Sequence, residues 1–349
     1  MTRLDDALEL VRVDSVSRNE ASLATLVESR LRRNPALDVE RIGDNVIART
    51  TGFRKARLLV AGHLDTVPGD ASSSAIVGDQ LRGVGACDMK GSLAVMLELA
   101  TYPAPRSVEV TWVFYAREEI ARTQSGLLEI AELRPDLLDA DAAVLGEPTG
   151  GVVEAGCQGT LRMRIEVRGA RAHTARPFTG RNAIHRIGKL IERVADYTPR
   201  HAMIDGVTYV EQLQVVEVSG GVAANVVPDS ATCTLNHRVA PDRTLDAAVE
   251  SLRTFLGEAL EEGDHFDVAD WAPPSPPSMD SERLKALVAL THRPVRAKVG
   301  WTDVATFHGM GIPAANFGAG DPLLAHRGDE FVTLQELDEF AVVLGKWLR

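Results

Sequence analysis

The sequence predicts an α/β protein with a mixed sheet, interrupted by a smaller α+β domain of the ferredoxin-like kind. Three strongly apolar segments, at 58–61, 107–116 and 141–145, have the composition of strands that are buried on both faces. From about Gly159 the pattern changes to strands in which apolar and polar residues alternate, as in a sheet with one wet face. The change of pattern therefore indicates two kinds of sheet in one chain.

The first domain surrounds these apolar strands with helices of amphipathic spacing. Gly83 and Gly85 predict a turn, and the apolar run after Lys90 predicts a helix from 90 to 100. The other elements predicted for this domain are helices at 4–13, 20–32, 281–292 and 333–348, and strands at 45–48 and 311–317. Alternation of helices and strands favours parallel strand pairs in the sheet.

The inserted domain follows a β-α-β-β-α-β order. Residues 161–168 and 230–240 alternate as strands, and residues 209–221 predict one further strand. The two helices are predicted at 182–197 and 245–261. The first helix has an apolar stripe that consists of Ile184, Ile187, Leu190, Ile191 and Val194. The proline-rich segment 271–278 is a natural return point, which predicts domains at 1–158 with 270–349, and at 159–269.

Charge and cysteine content narrow the class of protein. The chain has 349 residues and a formal net charge of −11 at pH 7, which argues against a nucleic-acid partner because such proteins present a basic face. Its three cysteines are too scattered for a disulfide framework. The start of the chain lacks the apolar stretch of a signal peptide, and no run is long enough to span a bilayer. We therefore expect a cytoplasmic protein without a membrane partner.

Metal-capable side chains follow the three apolar segments. His63 and Asp65 come after the first, Glu118 and Glu119 after the second, and Glu147 after the third. Sites in open α/β sheets form outside the carboxyl ends of the strands, so these side chains are expected to converge on one crevice. Imidazole nitrogen and carboxylate oxygen are ligands of zinc. The sequence therefore predicts a catalytic metal site at this edge of the sheet.

Asp88 and His326 extend this set. Asp88 lies in G-V-G-A-C-D-M-K-G, before a predicted helix, and can cap that helix, bridge two metal ions, or do both. Each residue alone has an ordinary interpretation, since H-x-D pairs, capping aspartates and surface histidines are common. Of the adjacent glutamates, one would bind a metal and the other would act as general base toward water.

A family resemblance joins these signals. The motifs G-H-L-D-T-V-P, G-V-G-A-C-D-M-K-G, the Glu-Glu pair, L-G-E-P-T and A-H-R-G-D-E occur in this order. They resemble the M20 family of metallopeptidases and deacylases over nearly the whole chain. The resemblance implies a zinc-exopeptidase-like catalytic domain and a hydrolase of linear amides with two divalent metal ions per subunit. Zinc is expected first, with cobalt or manganese as alternatives.

The resemblance also implies the metal ligands. His63 and Glu147 resemble the ligands of one metal, and Glu119 and His326 resemble the ligands of the other. Asp88 resembles the carboxylate that bridges both ions.

Three further residues match catalytic positions of the family. Glu118 resembles the general base, and Asp65 resembles the partner that orients His63. The resemblance implies that the inserted domain forms a homodimer and acts as a lid. Its histidine, His173, would stabilise the oxyanion in the active site of the partner subunit.

Several segments, among them G-W-T-D-V-A-T-F and R-A-H-T-A-R-P, are similar to the actinobacterial branch of the family that hydrolyses N-succinyl-L,L-diaminopimelate. The implied products are succinate and L,L-diaminopimelate, in the synthesis of lysine and cell-wall precursors. Many relatives carry an arginine pair where this chain has residues 157–160, Cys-Gln-Gly-Thr. The expected substrate contacts are therefore Arg176, Asn225, Arg238 and Thr302.

Other substrates and one other class of protein stay open from the sequence. N-acetylornithine, a dipeptide or another N-acyl amino acid would be hydrolysed by the same chemistry, as in an acetylornithine deacetylase, aminoacylase or carboxypeptidase. A non-catalytic binding dimer stabilised by metal is the alternative of another class. The presence of Glu118 argues against it, because a structural metal site needs no general base.

Overall fold

The computed structural model describes residues 2–52, 54–102 and 106–349. The helices of these residues are α1 (Arg3–Val11), α2 (Ala21–Leu31), α3 (Gly91–Thr101), α4 (Gly126–Leu133), α5 (Ala183–Ala195), α6 (Leu245–Leu256), α7 (Glu282–Thr291), α8 (Val304–Gly309) and α9 (Leu334–Trp347). The strands are β1 (Leu37–Ile42), β2 (Asn45–Thr50), β3 (Arg57–His63), β4 (Ala75–Val77), β5 (Gln80–Arg82), β6 (Glu109–Tyr115), β7 (Ala142–Leu145), β8 (Glu154–Ala155), β9 (Gly159–Arg168), β10 (Ala172–His173), β11 (His201–Ile204), β12 (Val207–Val210), β13 (Gln212–Gly220), β14 (Val226–Val227), β15 (Ser230–Val239), β16 (His265–Ala272), β17 (Arg296–Ala297), β18 (Ala314–Asn316) and β19 (Phe331–Thr333). None of the described helices has the length and apolarity needed to cross a membrane.

The chain folds into two compact units. The first consists of Met1–Gly156, Pro277–Arg296 and Thr302–Arg349. The second consists of Cys157–Pro276 and Ala297–Trp301. The first unit is thus built from three separate stretches of sequence.

A mixed eight-stranded sheet forms the centre of the first unit, in the order β1-β2-β6-β3-β7-β18-β8-β17. β3 pairs in parallel with β6 on one side and β7 on the other. Every residue of β6 is buried, including Trp112 and Phe114, because helices cover the sheet and leave no wet face. Full burial of such a side chain contributes roughly 1.5–3 kcal/mol. The sheet confirms the predicted α/β class.

Two capping boxes set the starts of α1 and α9, which both pack against α3. The Thr2 hydroxyl accepts the N–H of Asp5 while the Asp5 carboxylate accepts the N–H of Thr2, and α1 begins there. Thr333 and Glu336 form the same arrangement at the start of α9. Each cap contributes about 1 kcal/mol, so the last helix begins at a well-defined residue.

The second unit has an antiparallel sheet in the order β13-β15-β9-β16. β15 alternates strictly between buried and partly exposed residues, as the sequence predicts for a sheet with one wet face. The buried face packs against α5 and α6 in one hydrophobic cluster. This β-α-β-β-α-β arrangement is the predicted α+β insert.

Three details of the second unit differ from the sequence prediction. Ile184 and Ile191, predicted to belong to the buried stripe of α5, are each 39% exposed. The predicted single strand at 209–221 is two strands, β12 and β13, because buried Glu211 between them hydrogen-bonds outside the main sheet. The helix predicted to end at residue 261 ends at Leu256, where Gly257 takes a positive φ of 48°.

His237 is a buried titratable group in the core of this unit. It lies on β15 with 1% of its surface exposed. Within the part of the chain that the structure describes, neither ring nitrogen has a hydrogen-bond partner. Burial, with a smaller contribution from Arg243, lowers the pKa of His237 to about 4. Glu211 lies 3.8 Å from Nε2 but already pairs with Arg200 and Arg243, so its charge does not offset the burial.

The protein is therefore expected to lose stability when the pH falls from about 6.5 to 4. In this range the unfolded chain binds a proton at His237 and the folded chain does not, which lowers the free energy of unfolding by roughly 2–3 kcal/mol. Urea unfolding at a series of pH values should show a shallower pH dependence for His237→Phe than for the unsubstituted protein. Parallel pH profiles of the two proteins would contradict this assignment.

Candidate metal centre and active site

The carboxyl ends of β3, β6 and β7 lie side by side at one edge of the sheet. Val60 pairs with Trp112 of β6 and with Val144 of β7, so the three strands run in register. His63 is the last residue of β3, and Glu147 follows β7 by two residues. Since parallel strands end at the same edge, the side chains that follow them meet there, as the sequence predicts.

The first group of candidate ligands is His63, Asp88 and Glu147. All three are buried, and each offers an atom within 4.8 Å of the others. His63 Nε2 lies 3.1 Å from Asp88 Oδ1 and 3.8 Å from Glu147 Oε1. One imidazole nitrogen and two carboxylates form a donor set that zinc accepts.

The second group is Asp88, Glu119 and His326, and it shares Asp88 with the first. His326 Nε2 lies 2.8 Å from Glu119 Oε1 and 3.5 Å from Asp88 Oδ2. The two oxygens of Asp88 thus face two different imidazoles, Oδ1 toward His63 and Oδ2 toward His326. A carboxylate in this position can bridge two ions.

The segment Ala86–Lys90 holds Asp88 in an irregular conformation. Gly83 and Gly85 before it have φ values of 146° and 82°, which confirms the predicted turn. Asp88 itself has φ −119° and ψ 94°, and Lys90 is the N-cap residue of α3, without a side-chain capping bond. Asp88 is therefore not the N-cap residue of this helix, and its carboxylate lies against the two histidines.

Asp65 contacts both His63 and the glutamate pair, through different atoms. Its main-chain oxygen lies 2.9 Å from His63 Nδ1, while its carboxylate is farther, at 3.7 Å. The carboxylate instead accepts the N–H of Glu118 at 2.9 Å and the N–H of Glu119 at 3.0 Å. Ser17 Oγ donates to it as well, at 2.7 Å. The expected contact with His63 is thus made by the backbone, and the side chain fixes the segment that carries Glu118.

Substitution of Asp65 by alanine is expected to reduce both stability and kcat. It removes the acceptor of the partly buried N–H groups of Glu118 and Glu119, at a cost of about 0.5–1.5 kcal/mol for each hydrogen bond. We expect kcat to fall because Glu118 loses its fixed position, with a smaller change in KM. Steady-state kinetics and urea unfolding of Asp65→Ala would measure both effects. Ser17→Ala is the milder control because it removes only one hydrogen bond to the same carboxylate. Its kcat and its free energy of unfolding should lie between those of the unsubstituted protein and those of Asp65→Ala.

Electrostatics of the cluster favour bound cations. Burial raises the pKa of Glu118 well above its usual range, and the carboxylate of Glu147 adds to this effect. Burial lowers the pKa of His63, but Asp88 and the other carboxylates outweigh it, so the net pKa is raised well above the ordinary value. Hydrogen bonds to Asp88 and Glu119 raise the pKa of His326 to about 10. A crevice with four carboxylates and two imidazoles fits divalent ions by the chemistry of its donors.

The remaining predicted residue of the first unit is Thr302. It is buried and precedes Asp303, whose carboxylate accepts the hydroxyls of Ser125 and Thr306. Ser125 caps α4, the helix that follows the glutamate pair. Asp303 therefore links the Thr302 segment to the loop after Glu118.

Four predicted residues belong to the second unit. His173 and Asn225 lie together, since Thr174 N–H donates to the Asn225 oxygen at 3.1 Å and His173 pairs with Val226. Arg176 follows in the same exposed turn, with its N–H on the His173 oxygen. Arg238 lies on β15 and donates to Thr160 Oγ1 at 2.5 Å.

Sequence reasoning missed two residues that support the site. Ser17 bonds the carboxylate of Asp65, and Glu330 accepts the main-chain N–H groups of Cys87 and Asp88. Glu330 stands in the A-H-R-G-D-E motif, so the motif itself was the available signal. Ser17 lies in the loop after α1, where no local pattern marks it.

Comparison with known proteins agrees with this geometry. A family model described as peptidase family M20/M25/M40 matches residues 59–349. The chain is 41% identical over 346 residues to the succinyl-diaminopimelate desuccinylase of Corynebacterium glutamicum, covering 97% of this chain and 94% of that protein. It is 45% identical over 342 residues to a Mycobacterium tuberculosis (strain H37Rv) protein with the provisional name succinyl-diaminopimelate desuccinylase DapE, covering 97% and 96%.

A solved structure shows the same fold at lower identity. The tripeptidase of Staphylococcus aureus superposes with a TM-score of 0.80 at 21% identity, and the match covers 99% of this chain and 97% of that one. The family match covers most of the chain and includes all residues of the two ligand groups, from His63 to His326. The chain belongs to the peptidase family M20/M25/M40 and is an enzyme of that metallopeptidase family.

Proposed function

We propose that this chain hydrolyses the amide of N-succinyl-L,L-diaminopimelate to succinate and L,L-diaminopimelate. The observation that carries the proposal is a pair of ligand groups that share Asp88, with Glu118 beside them. Two relatives above 40% identity that carry the desuccinylase name support the choice of substrate.

The metal groups supply the electrophilic part of the chemistry. His63, Asp88 and Glu147 would hold one divalent ion, and Asp88, Glu119 and His326 would hold the other. When bound there, zinc as the first candidate, or cobalt or manganese, would supply a lowered pKa for water and polarisation of the scissile carbonyl.

Glu118 moves the proton. Its backbone is fixed by Asp65, and a carboxylate held in this way can accept a proton from water and release it to a leaving group. Glu118 accepts the proton from the attacking water and then gives it to the leaving amine nitrogen. The C–N bond breaks as the new C–O bond completes the carboxylate of succinate.

His173 is suited to donate to the oxyanion. Its Nδ1 accepts the N–H of Ala175 at 3.0 Å, which leaves the proton of the neutral ring on Nε2. The ring is exposed, so Nε2 is available to a substrate oxygen. Arg176 and Arg238 would pair with substrate carboxylates, and Asn225 and Thr302 would hydrogen-bond to the substrate.

A homodimer through the second unit would bring His173 to a neighbouring active site. β13 is the edge strand of its sheet, with Val216 and Val218 exposed by 56% and 48%. Ile184 and Ile191 of α5 add exposed apolar surface to the same unit. Exposed apolar edge strands pair readily with a second copy.

Substitution Val218→Lys is expected to shift the protein from dimer to monomer and to lower kcat, because the partner's histidine is lost. Sedimentation velocity with parallel kinetics would measure both. Val342→Lys is a matched control, since Val342 is equally exposed, at 53%, but lies on α9 of the first unit. A dimer that survives Val218→Lys would exclude this edge as the interface.

The test of the function is steady-state hydrolysis of N-succinyl-L,L-diaminopimelate beside N-acetylornithine, with added zinc. Preferred cleavage of the succinyl substrate supports the proposal. Cleavage of N-acetylornithine alone would support the proposed mechanism and would show that the proposed substrate is wrong. Metal binding without hydrolysis of any N-acyl amino acid would favour a non-catalytic binding dimer.

A further inference from the structure

Glu330 is a buried carboxylate that contacts the main chain of the shared ligand. Only 2% of the surface of Glu330 is exposed. Oε1 accepts the N–H of Cys87 at 2.8 Å and the N–H of Asp88 at 2.9 Å. One oxygen therefore fixes two consecutive peptide groups next to the residue that faces both histidines.

The segment that donates these bonds is irregular, and its own main chain ties it at the two ends, where the N–H of Ala86 donates to the oxygen of Gly83 and the N–H of Lys90 to that of Gly85. Asp88 has backbone angles outside the helical region, between a turn of two glycines and the start of α3. A buried N–H group needs an acceptor, and strands or helices normally provide it. For Cys87 and Asp88 the acceptor is a side chain 242 or 243 residues later in the sequence. The direction of the Asp88 carboxylate consequently depends on Glu330.

Glu330 is itself held on both sides. Its main-chain oxygen accepts the N–H of Gly83 at 3.0 Å, and the next residue, Phe331, pairs with Arg82 in β5. Its own N–H donates to the oxygen of Arg327 at 3.3 Å, in the turn that directly follows His326. One short segment thus carries His326 and fixes the backbone of Asp88.

We propose that Glu330 is a positioning residue that sets the spacing between Asp88 and His326, and with it the affinity of the second metal. The proposal rests on the two-metal site of the proposed function. Glu330 is not one of the candidate ligands among the described residues, and it acts through the peptide groups of Cys87 and Asp88. A partner that orients a ligand typically changes metal affinity by about 10- to 100-fold.

The experiment measures metal binding by the metal-free protein and needs no substrate. Co²⁺ is titrated by calorimetry and by its visible absorption, which reports the geometry of its ligands. Glu330→Ala is expected to weaken binding of one of the two ions by about 10- to 100-fold and to change the absorption bands. Glu330→Gln keeps an oxygen that can accept both N–H groups and should regain most of the affinity. Glu330→Asp keeps the charge but withdraws the oxygen, so it should weaken binding.

Glu109→Ala is the matched control for loss of a buried carboxylate. Glu109 is also 2% exposed and also accepts a main-chain N–H, that of Arg54, but it lies at the opposite end of β6. This variant is expected to lose thermal stability while binding two Co²⁺ ions with unchanged affinity and spectrum. If Glu330→Ala is too unstable to titrate, the Co²⁺ affinities of Glu330→Asp and Glu330→Gln are compared instead. Weaker binding in Glu330→Asp than in Glu330→Gln would support the inference.

Two results would overturn the inference. One is unchanged Co²⁺ affinity and absorption in Glu330→Ala or Glu330→Asp. The other is an equal loss of Co²⁺ affinity in Glu109→Ala, which would indicate that lower stability by itself weakens metal binding. Because the readout is binding, a protein that fails to cleave the succinyl substrate leaves this test intact. A parent protein that binds no Co²⁺ would instead contradict the proposed two-metal function.

Discussion

Glu118→Gln is expected to lower kcat by about 10² to 10⁴-fold, the usual contribution of a general base. The amide keeps the size of the side chain and cannot accept the proton of the attacking water. Its backbone remains bonded to Asp65, so the neighbouring ligand Glu119 keeps its position. KM and the increase in melting temperature on addition of zinc should therefore change little.

Two comparisons make this result specific. Glu132→Gln changes a glutamate on the exposed side of α4 and should leave kcat unchanged. Zinc titration of Glu118→Gln should still show two ions. A variant that loses metal together with activity would make Glu118 a ligand, which its position near His63 and Glu119 allows on distance alone. A kcat within a factor of two or so of the parent value would remove Glu118 from the mechanism.

Removal of metal by a chelator is expected to abolish hydrolysis and to destabilise the fold. Without cations, carboxylates such as Asp88 and Glu147 crowd one buried crevice and repel one another. Bound ions stabilise the folded state by about 2.7 kcal/mol per site when free metal is one hundred times Kd. Scanning calorimetry before and after addition of zinc should show a rise of several degrees in Tm, with recovery of activity.

Asp88→Ala separates this effect from a general action of the chelator. Asp88 belongs to both ligand groups, so its loss should reduce the rise in Tm for both ions together. His265→Ala removes an exposed histidine of the second unit and should respond to zinc as the parent protein does. An unchanged rise in Tm for Asp88→Ala would contradict a shared ligand.

Much of the site could be predicted because its residues follow the ends of buried strands. Strong apolar runs mark such strands, and parallel neighbours bring their ends together, so the pattern predicts that His63 and Glu147 lie close together. Their roles as metal ligands came from the family resemblance and stay a prediction. The shared role of Asp88 came from the resemblance, and the described geometry agrees with it, since its two oxygens face different imidazoles.

The parts that sequence did not predict are contacts that depend on three-dimensional packing. The carboxylate of Asp65 binds peptide groups more than fifty residues away, and peptide groups have no signature in a sequence. The stripe of α5 was predicted too wide, because a helix on an open sheet covers only the arc that touches the strands. Ile184 and Ile191 flank that arc and stay partly exposed.

The discontinuous first unit has a consequence for synthesis on the ribosome. A growing chain acquires His63, Asp88 and Glu147 early, then the whole second unit, and only then His326 and Glu330. Domains form as units while the chain emerges, so the inserted unit can fold before the unit that contains it is complete. A product truncated before residue 326 would keep one complete ligand group and lack the other. Hydrolysis would therefore require the stretch that carries His326, so a chain that stops before this residue would not act on its substrate.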